Sequence, residues 1–535
     1  MKQSMADEPA VRGRVSTGYW LVLGVMVCAS GLAQNTASLP LRGKAERVVV
    51  VVWDGMRPDL ISPKHTPTLH RLAQQGVAFQ NHHAVYLSST EVNATAIATG
   101  MLPEHSGIIA NKEYRPQIDA FKPVAMEDEA TVRLGDQVYE GHLIAVPTLA
   151  EIIQSGGFRT AVAGTKAATI LFDRAGDRPA GAAHESVDFC KGLALPPEAI
   201  MALEKANYHQ PFPTNVTYPN VAQDTWTTRA LTCGLWDKEV PKFSVLWLSE
   251  PDYSQHDSGP GSPASLGALE SADHNLALVL QALDEKGLRD KTDLFIVSDH
   301  GFSTVQRSVD VAETLTQAGF RAARTLKEPA RGDVLVVTLS GSVALYVIGH
   351  DEATIRKLVT FLQSSDFAGV IFSRLQVDGT FPLEAGGINS THAPDLMVAM
   401  RWSSEHNPFG VPGVFVADTL KKGAHASLSP FDMHNTLVTC GPDFRSGYND
   451  LLPTGNTDLA PTILWILGMR APQPMDGRIL SEALIGLDAT PPRVEQKTLE
   501  ATAEGSSFRW RQYLRFSSVG HTPYFDEGNG GAIAK

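Results

Sequence analysis

Carboxylates and histidines recur at matching places in this 535-residue chain. Three apolar stretches each end in an aspartate, and two of them have a histidine close by. The residues are Asp54, Asp252 with His256, and Asp299 with His300. Carboxylate oxygens together with imidazole nitrogens are ligands that divalent metals prefer, zinc above all. Taken alone, Asp54 fits a turn or a helix cap as well as a metal site, but the repetition indicates a metal site.

The apolar stretches themselves predict the elements that hold these residues. Residues 48–52 are five consecutive valines, which is typical of a strand buried on both faces in a parallel sheet. Residues 242–248 and 293–297 are similarly apolar. Ligands of open α/β sheets bind at the carboxyl ends of parallel strands. The sequence therefore predicts an α/β fold whose mainly parallel central sheet, with helices on both faces, gathers the three aspartates.

A helix of small residues is predicted from Glu91 to Thr99, ended by Gly100. The N-terminus of a helix is a ready anion site. Thr90 at this end has two interpretations. It can cap the helix, where Ser88 with Glu91 also fits a capping box. It can instead be a nucleophile, with Asn93 donating a hydrogen bond to a phosphoryl oxygen. The residues by themselves favour the cap.

Several motifs occur in an order that resembles a known family. They are Val52-Trp53-Asp54-Gly55, Thr66-Pro67, Thr90-x-x-Asn93, residues 99–108 and Ser298-Asp299-His300-Gly301. Together they resemble the alkaline phosphatase superfamily, and within it the type I phosphodiesterase/nucleotide pyrophosphatase group. The resemblance covers residues 46–485. It implies an alkaline phosphatase-like sandwich with a small α/β insertion, and it reverses the preference at Thr90 in favour of the nucleophile.

The resemblance also implies a cofactor, namely two divalent metal ions, expected to be zinc. One ion would be held by Asp54, Thr90, Asp299 and His300. The other would be held by Asp252, His256 and His425. His425 matches a Gly-x-His motif of the family, although Ala426 replaces the glycine that usually follows. His434 is the competing candidate for this last ligand.

The expected reaction is hydrolysis of a phosphodiester or pyrophosphate bond in a small phosphate ester, for which a nucleotide is a candidate. By resemblance, Thr90 would attack phosphorus and water would hydrolyse the phosphothreonine. Lys166 follows a predicted strand and can reach substrate or be a solvated loop lysine. It resembles the lysine of superfamily members that act on phosphomonoesters or phosphonates, but Ala168 leaves their Lys-x-Arg motif incomplete. Such a monoesterase or phosphonate hydrolase is the alternative, and a non-catalytic phosphate-binding protein is a further one.

The composition and the N-terminal residues limit the kinds of partner and the cellular location of the protein. The net charge of −13 and the lack of a basic block argue against a nucleic acid duplex as partner. Residues 1–33 combine basic residues, an apolar run and small residues at Ala33, which is typical of a cleaved secretory signal. A retained anchor helix is the alternative. We expect a periplasmic or secreted protein without stable membrane insertion, and the sequence says nothing about its oligomeric state.

The predicted organisation has four parts. They are the signal (1–33), a linker (34–45), the hydrolase domain (46–485) and a C-terminal tail with a late strand or hairpin (486–535). Within the hydrolase domain, residues 302–392 are predicted to be a cap insertion over the site. The glycine-rich end, Gly528 to Lys535, is expected to be frayed. Cys190 and Cys233 can pair in an oxidising compartment.

Overall fold

The computed structural model describes residues 42–174, 181–487 and 493–535. The predicted signal and cleavage site at residues 1–33, and most of the 34–45 linker, lie outside the described residues. Those predictions therefore stay predictions. Within the described ranges, none of the helices is both long and apolar enough to cross a membrane.

A nine-stranded central sheet organises the fold. Its strands, in spatial order, are Tyr448–Asp450, Val77–Phe79, Leu437–Cys440, Thr292–Val297, Arg47–Trp53, Phe243–Leu248, Thr160–Gly164, Val187–Cys190 and Leu193–Leu195. Only Leu437–Cys440 and Leu193–Leu195 among these nine run against the others. The mainly parallel α/β sandwich predicted from the valine run is confirmed.

The valine strand feeds two hydrophobic cores, one on each face of the sheet. Val48, Val50 and Val52 pack into one core, while Val49, Val51 and Trp53 pack into the other. All seven residues of the strand are buried. The helices on the first face are Thr90–Thr99, Glu129–Val138, Leu149–Ser155 and Leu459–Ile466. Those on the second face are Pro67–Gln75, Ile200–Ala206, Val221–Arg229 and Pro263–Glu285. The strand is buried on both sides, as the absence of alternation in its sequence predicts.

A second sheet of six strands lies between residues 322 and 400. In spatial order its strands are Ala322–Ala323, Val334–Thr338, Ser342–Val347, Leu396–Met400, Ala368–Ser373 and Phe381–Pro382. The helices Val311–Gln317 and Glu352–Ser364 pack against it. The boundaries of the insertion, 302 and 392, stay a prediction, and Leu396–Met400 lies beyond them.

The C-terminal end forms a three-stranded antiparallel sheet of Val494–Glu504, Phe508–Val519 and Thr522–Ala534. The strand Phe508–Val519 lies in the tail where a late strand or hairpin is predicted, but the expectation of a frayed glycine-rich end is wrong. Gly528 to Ala534 pair with Phe508–Val519, and the Gly528 N–H also donates to the Leu428 carbonyl. Backbone pairing with the neighbouring strand outweighs the flexibility of glycine here. The local sequence does not indicate this pairing.

Cys190 and Cys233 do not form the disulfide that an oxidising compartment would allow. Cys190, Cys233 and Cys440 are all free. The Cys190 thiol lies 3.8 Å from the Lys166 carbonyl oxygen and 3.7 Å from that of Ala167. Burial raises its pKa to about 12. Cys190 is therefore an unreactive packing residue in this structure.

Candidate active site

Three neighbouring strands carry the three aspartates to one edge of the central sheet. Arg47–Trp53 lies between Thr292–Val297 and Phe243–Leu248, with both pairings parallel. The Asp252 N–H donates to the Asp54 carbonyl oxygen at 2.9 Å, and the Gly55 N–H donates to Asp299 Oδ1 at 3.0 Å. Gly55 has φ +70°, and a Cβ there would lie 3.2 Å from Asp252 Cβ. The turn after the valine strand thus needs glycine to bring the carboxylates together.

One group of candidate ligands contains Asp54, Asp299 and His300. All three side chains are buried, and their ligating atoms lie within 4.8 Å of one another. His300 Nε2 is 3.2 Å from Asp299 Oδ2 and 3.7 Å from Asp54 Oδ1. Thr90 Oγ1 lies 3.3 Å from the same nitrogen. The structure therefore brings together all four residues expected at the first metal.

A second group contains Asp252, His256 and His425. Asp252 and His256 sit one turn apart in the helix Asp252–Ser258, so that His256 Nε2 is 3.3 Å from Asp252 Oδ1. His425 Nε2 is 3.6 Å from the same oxygen. His425 rather than its competitor His434 reaches this group. Ala426 adopts φ +73° in the left-handed region, which explains why glycine suits this position.

The three histidines share one orientation. Each Nδ1 faces a backbone carbonyl oxygen: Gly423 for His256 at 2.8 Å, Gly301 for His300 at 2.8 Å, and Ser88 for His425 at 2.9 Å. An Nδ1–H donated to a carbonyl leaves the Nε2 lone pair facing the carboxylates. Burial lowers the pKa of His256 and lowers that of His425 well below its usual value, with His300 adding to the effect at His425. Imidazoles of this orientation are competent metal ligands.

The donor set fits two divalent ions. Asp54 Oδ1, Asp252 Oδ1 and Asp299 Oδ2 are buried oxygens that accept no hydrogen bond from the described residues. Buried polar atoms without partners are costly unless a cation or water satisfies them. Burial, and then the charge of Asp299, raises the pKa of Asp54 well above its usual value. Burial likewise raises the pKa of Asp299 to about 7. Buried carboxylates this close together repel one another, and a cation between them would relieve the repulsion.

Thr90 does not act as a helix cap. It is the first residue of the helix Thr90–Thr99, and the preceding N-cap residue, Ser89, makes no side-chain capping bond. Ser88 donates its hydroxyl to the Ser427 carbonyl instead of forming the capping box with Glu91. The Thr90 hydroxyl points to His300 and lines a cavity. The capping interpretation, which the local residues favour, is wrong.

Asn93 lies in a different place from the one expected. Its side chain is fully buried, and its Nδ2 donates to the carbonyl oxygens of Val85, Leu87 and Ser89. Its Oδ1 accepts from the Val85 N–H and from Asn456 Nδ2. No hydrogen-bonding capacity is left for a phosphoryl oxygen. Asn93 therefore holds the segment that precedes Thr90 and does not face the cavity.

We expect Asn93→Ala to lower the free energy of unfolding by about 1–3 kcal/mol for each buried partner left unsatisfied. Thermal and urea unfolding of the metal-loaded variant measure this loss. In the folded fraction, kcat/KM should fall far less than it does in Thr90→Ala. A variant of unchanged stability that has lost its turnover would instead restore a direct role for Asn93.

Asn111 is a cavity residue that the sequence reasoning missed. It lines the same cavity as Thr90, and its Oδ1 accepts the Glu91 N–H at 3.2 Å. Its Nδ2 donates to none of the described residues with hydrogen-bond geometry, and fixing Oδ1 leaves this NH₂ group free for a ligand. The only signal in the sequence is an asparagine after the apolar residues 108–110, which is too weak to single it out.

Lys166 lies between the two ligand groups. Its Nζ is 2.7 Å from Asp252 Oδ2 and 3.4 Å from Asp54 Oδ2. Burial by itself lowers the pKa of Lys166, but Asp252 and Asp54 outweigh burial and raise it well above its usual value. The side chain also lies over the ring of Tyr253, with Nζ 4.8 Å from the ring centroid. Lys166 is a charged residue of the site and not a solvated loop lysine.

A cavity of about 400 Å³ opens over these residues. Its charged lining residues are Lys112, Lys166, Lys191, Lys421, Glu91, Glu127 and Asp252. Tyr218 and Tyr253 add aromatic surface, and Thr338, Leu339 and Ser340 from the second sheet form part of the wall. The arrangement suits an anionic ligand with a flat or apolar portion.

The chain is similar to known phosphodiesterases and nucleotide pyrophosphatases. A family model described as type I phosphodiesterase/nucleotide pyrophosphatase matches residues 48–405. Ectonucleotide pyrophosphatase/phosphodiesterase family member 5 of Homo sapiens is 21% identical over 533 residues, 95% of this chain and 91% of that protein. Family member 1 of Rattus norvegicus is 26% identical over 255 residues, 46% of this chain. That match spans only 23% of the rat protein, so the chain covers about a quarter of its length.

A solved structure shows the same fold. Murine ectonucleotide pyrophosphatase/phosphodiesterase 5, an inactive variant in complex with AMP, superposes with a TM-score of 0.58 at 17% identity. The superposition covers 82% of this chain and 100% of that one. The alkaline phosphatase-like sandwich expected from the motifs is thereby confirmed.

Proposed function

Because the chain belongs to the type I phosphodiesterase/nucleotide pyrophosphatase family, we propose that it hydrolyses phosphodiester or pyrophosphate bonds with two zinc ions. One observation carries the proposal. Two groups of carboxylates and histidines, with Thr90 beside one of them, converge at the carboxyl edge of the central sheet. This composition is that of a two-metal phosphoryl-transfer site.

Each of the two ligand groups would bind one metal ion. Asp54, Asp299, His300 and Thr90 would hold one ion, and Asp252, His256 and His425 would hold the other. Bound ions would lower the pKa of the Thr90 hydroxyl and neutralise charge on the attacking and leaving oxygens. The carbonyl-bound histidines keep their Nε2 atoms directed to these positions. The protein thus preorganises the ligands before any metal arrives.

Thr90 would be the nucleophile. Its Oγ1 forms a bond to phosphorus while the bond from phosphorus to the leaving oxygen breaks, and water then hydrolyses the phosphothreonine. Asn111 Nδ2 and the N–H groups of the first helical turn would bind the non-bridging oxygens. Asn111 thereby takes the role that the motif suggests for Asn93. Lys166 adds positive charge between the two carboxylate groups.

The charge pattern of the cavity favours diesters over monoesters. A monoester carries additional negative charge, which proteins commonly meet with a bidentate arginine. The described residues that line the cavity include four lysines and no arginine. Lys166 is the one observation that favours the monoesterase or phosphonate hydrolase alternative, but it already contacts two carboxylates.

A nucleotide is the substrate class that we propose. The lysines suit a phosphate chain, and Tyr218 and Tyr253 offer surface on which a base can pack. The related murine protein was solved in complex with AMP. The leader at residues 1–33 further leads us to propose export with cleavage near Ala33, which N-terminal sequencing of protein from the periplasm or medium would test.

Paired kinetics test the proposed activity. We expect zinc-loaded protein to have a higher kcat/KM on bis-p-nitrophenyl phosphate than on p-nitrophenyl phosphate, because no arginine is among the described residues that line the cavity for a monoester dianion. Elemental analysis of protein purified without chelator should give at least about two ions per chain, because each of the two catalytic groups would hold one. The opposite substrate preference would favour the monoesterase, and zinc without turnover on either ester would favour the phosphate-binding alternative.

The substitution Asn111→Ala distinguishes the role of Asn111 from that of Asn93. We expect it to lower kcat/KM by about 10²-fold with only a small change in melting temperature, because its NH₂ group has no partner among the described residues and its Oδ1 accepts only the Glu91 N–H. Asn111→Asp is the matched variant, since it keeps the shape and removes both donors. Steady-state kinetics and melting measured beside Asn93→Ala should show opposite signatures. Full turnover in both Asn111 variants would exclude this residue from phosphoryl recognition.

A further inference from the structure

A third group of potential metal ligands lies outside the catalytic cavity. It consists of His83, His434 and Asp526, whose ligating atoms lie within 4.8 Å of one another. The residues come from three distant segments. His83 belongs to the strand His82–His83, His434 follows the helix Pro430–Met433, and Asp526 lies in the last strand, Thr522–Ala534. The group therefore sits where the C-terminal sheet meets the catalytic domain.

The hydrogen bonds of His83 leave its contact with Asp526 without a donor. Its Nδ1 is 2.9 Å from the Thr454 carbonyl oxygen, which can only accept, so this nitrogen carries a proton. In a neutral ring, Nε2 is then an acceptor, yet it faces the carboxylate oxygen Asp526 Oδ1 at 3.1 Å. Two acceptors at this distance repel unless a positive species joins them. That species is either a proton shared between the ring and the carboxylate or a cation.

The two catalytic groups serve as an internal standard. There, each histidine also directs Nδ1 to a backbone carbonyl at 2.8–2.9 Å. Their shortest contacts between Nε2 and a carboxylate oxygen are 3.2 and 3.3 Å. His83 reproduces both features, at 2.9 and 3.1 Å. Two ligands bound tetrahedrally to one ion at about 2.0–2.2 Å are themselves separated by roughly 3.3–3.6 Å. The His83–Asp526 contact is slightly shorter than this range, so the two groups would need only a small separation to share a metal.

His434 supplies a third candidate ligand. Its ring centroid is 4.3 Å from that of His83. Among the described residues, neither ring nitrogen of His434 has a hydrogen-bond partner. An imidazole without a partner is available to a metal, and His83 would offer its Nε2 to the same metal while Nδ1 keeps its bond to the Thr454 carbonyl.

We propose that His83, His434 and Asp526 bind a zinc ion that fastens the C-terminal sheet to the catalytic domain. Three protein ligands leave a fourth position for water. Asp526 retains 14% of its side-chain surface, so the site is open to solvent on one side. Ser517 donates to both oxygens of Asp526 and orients the carboxylate. Binding to the folded state alone would stabilise the sheet in place.

Metal counting tests the proposal. Protein purified without chelator is analysed for zinc beside Asp526→Asn and His434→Gln. We expect about three ions per chain in the wild type and about two in either variant. The kcat/KM should not change, because neither residue lines the catalytic cavity, whereas the melting temperature should fall. His350→Gln is the matched control: His350 contacts Asp395 at 2.7 Å without a third ligand in its group, so its metal content should equal that of the wild type.

A second measurement separates this site from the catalytic pair. A variant with Asp54→Asn and Asp252→Asn should keep about one ion per chain, and cobalt bound to it should give a visible spectrum that disappears with His434→Gln. This result does not require the enzyme to be active. Equal metal content in the wild type, Asp526→Asn and His434→Gln would overturn the proposal and leave a protonated His83 paired with Asp526. If a third ion remained bound after both substitutions, its site would lie elsewhere in the protein.

Discussion

Thr90→Ala should reduce kcat/KM on a p-nitrophenyl phosphodiester by roughly 10³-fold or more, because the covalent route needs the hydroxyl that lies 3.3 Å from His300 Nε2. The fold should be nearly unaffected. Thr90 caps nothing, so the loss of about 1 kcal/mol expected for a removed helix cap should not occur. Kinetics, melting and zinc content are measured on the same metal-loaded samples.

Two further threonine variants sharpen this experiment. Thr90→Ser keeps a hydroxyl that can bind metal and attack phosphorus, so part of the activity should survive. Thr95→Ala is the matched control, since Thr95 is buried in the same helix and its hydroxyl only donates to the Glu91 carbonyl. It should retain near wild-type turnover. Undiminished hydrolysis by zinc-loaded Thr90→Ala would end the phosphothreonine mechanism, even if the metal sites proved correct.

The second large effect is expected at Asp252. Asp252→Asn keeps the size of the side chain but removes the charge that faces His256, His425 and Lys166. We expect the zinc content of the catalytic groups to fall from about two ions per chain to about one. The kcat/KM should fall by more than about 100-fold, because the leaving oxygen loses its stabilising charge. Lys166 would also lose its nearest carboxylate.

Asp257→Asn is the control for this substitution. Asp257 lies on the same helix, is exposed, and accepts a hydrogen bond from Ser258 at 2.6 Å. Its removal should change neither metal content nor turnover. If Asp252→Asn bound as much zinc as the wild type and remained active, Asp252 would not be a ligand and the second group would have to be reassigned.

Much of the proposed catalytic group could be predicted because strand and motif are local in sequence. The valine run is too continuous for a half-exposed strand, and the aspartate that follows must emerge at the carboxyl edge of a parallel sheet. The same reasoning applies to Asp252 and Asp299. His256 follows Asp252 by one helical turn, so one element places both. In each case one element of a few residues decides where the side chain points.

The asparagines and the third ligand group depended on contacts between distant segments. The motif places Asn93 one turn after Thr90, but tertiary packing buries it against residues 85–89 and leaves Asn111, from another segment, in the cavity. The doublet His82-His83 looks uniform in sequence. His82 is satisfied by Thr454 and Asn456, whereas His83 faces Asp526, 443 residues further along the chain.

The sequence by itself determined the sheet, the three aspartates and the family, because strand burial and motif order are written in short stretches of residues. Only the tertiary structure decided which side chains keep free hydrogen-bonding capacity, and therefore which can meet a ligand. That capacity depends on every neighbour brought in by the fold. The glycine-rich C-terminus shows the same limit: its residues disfavour a strand locally, but pairing with Phe508–Val519 makes it one.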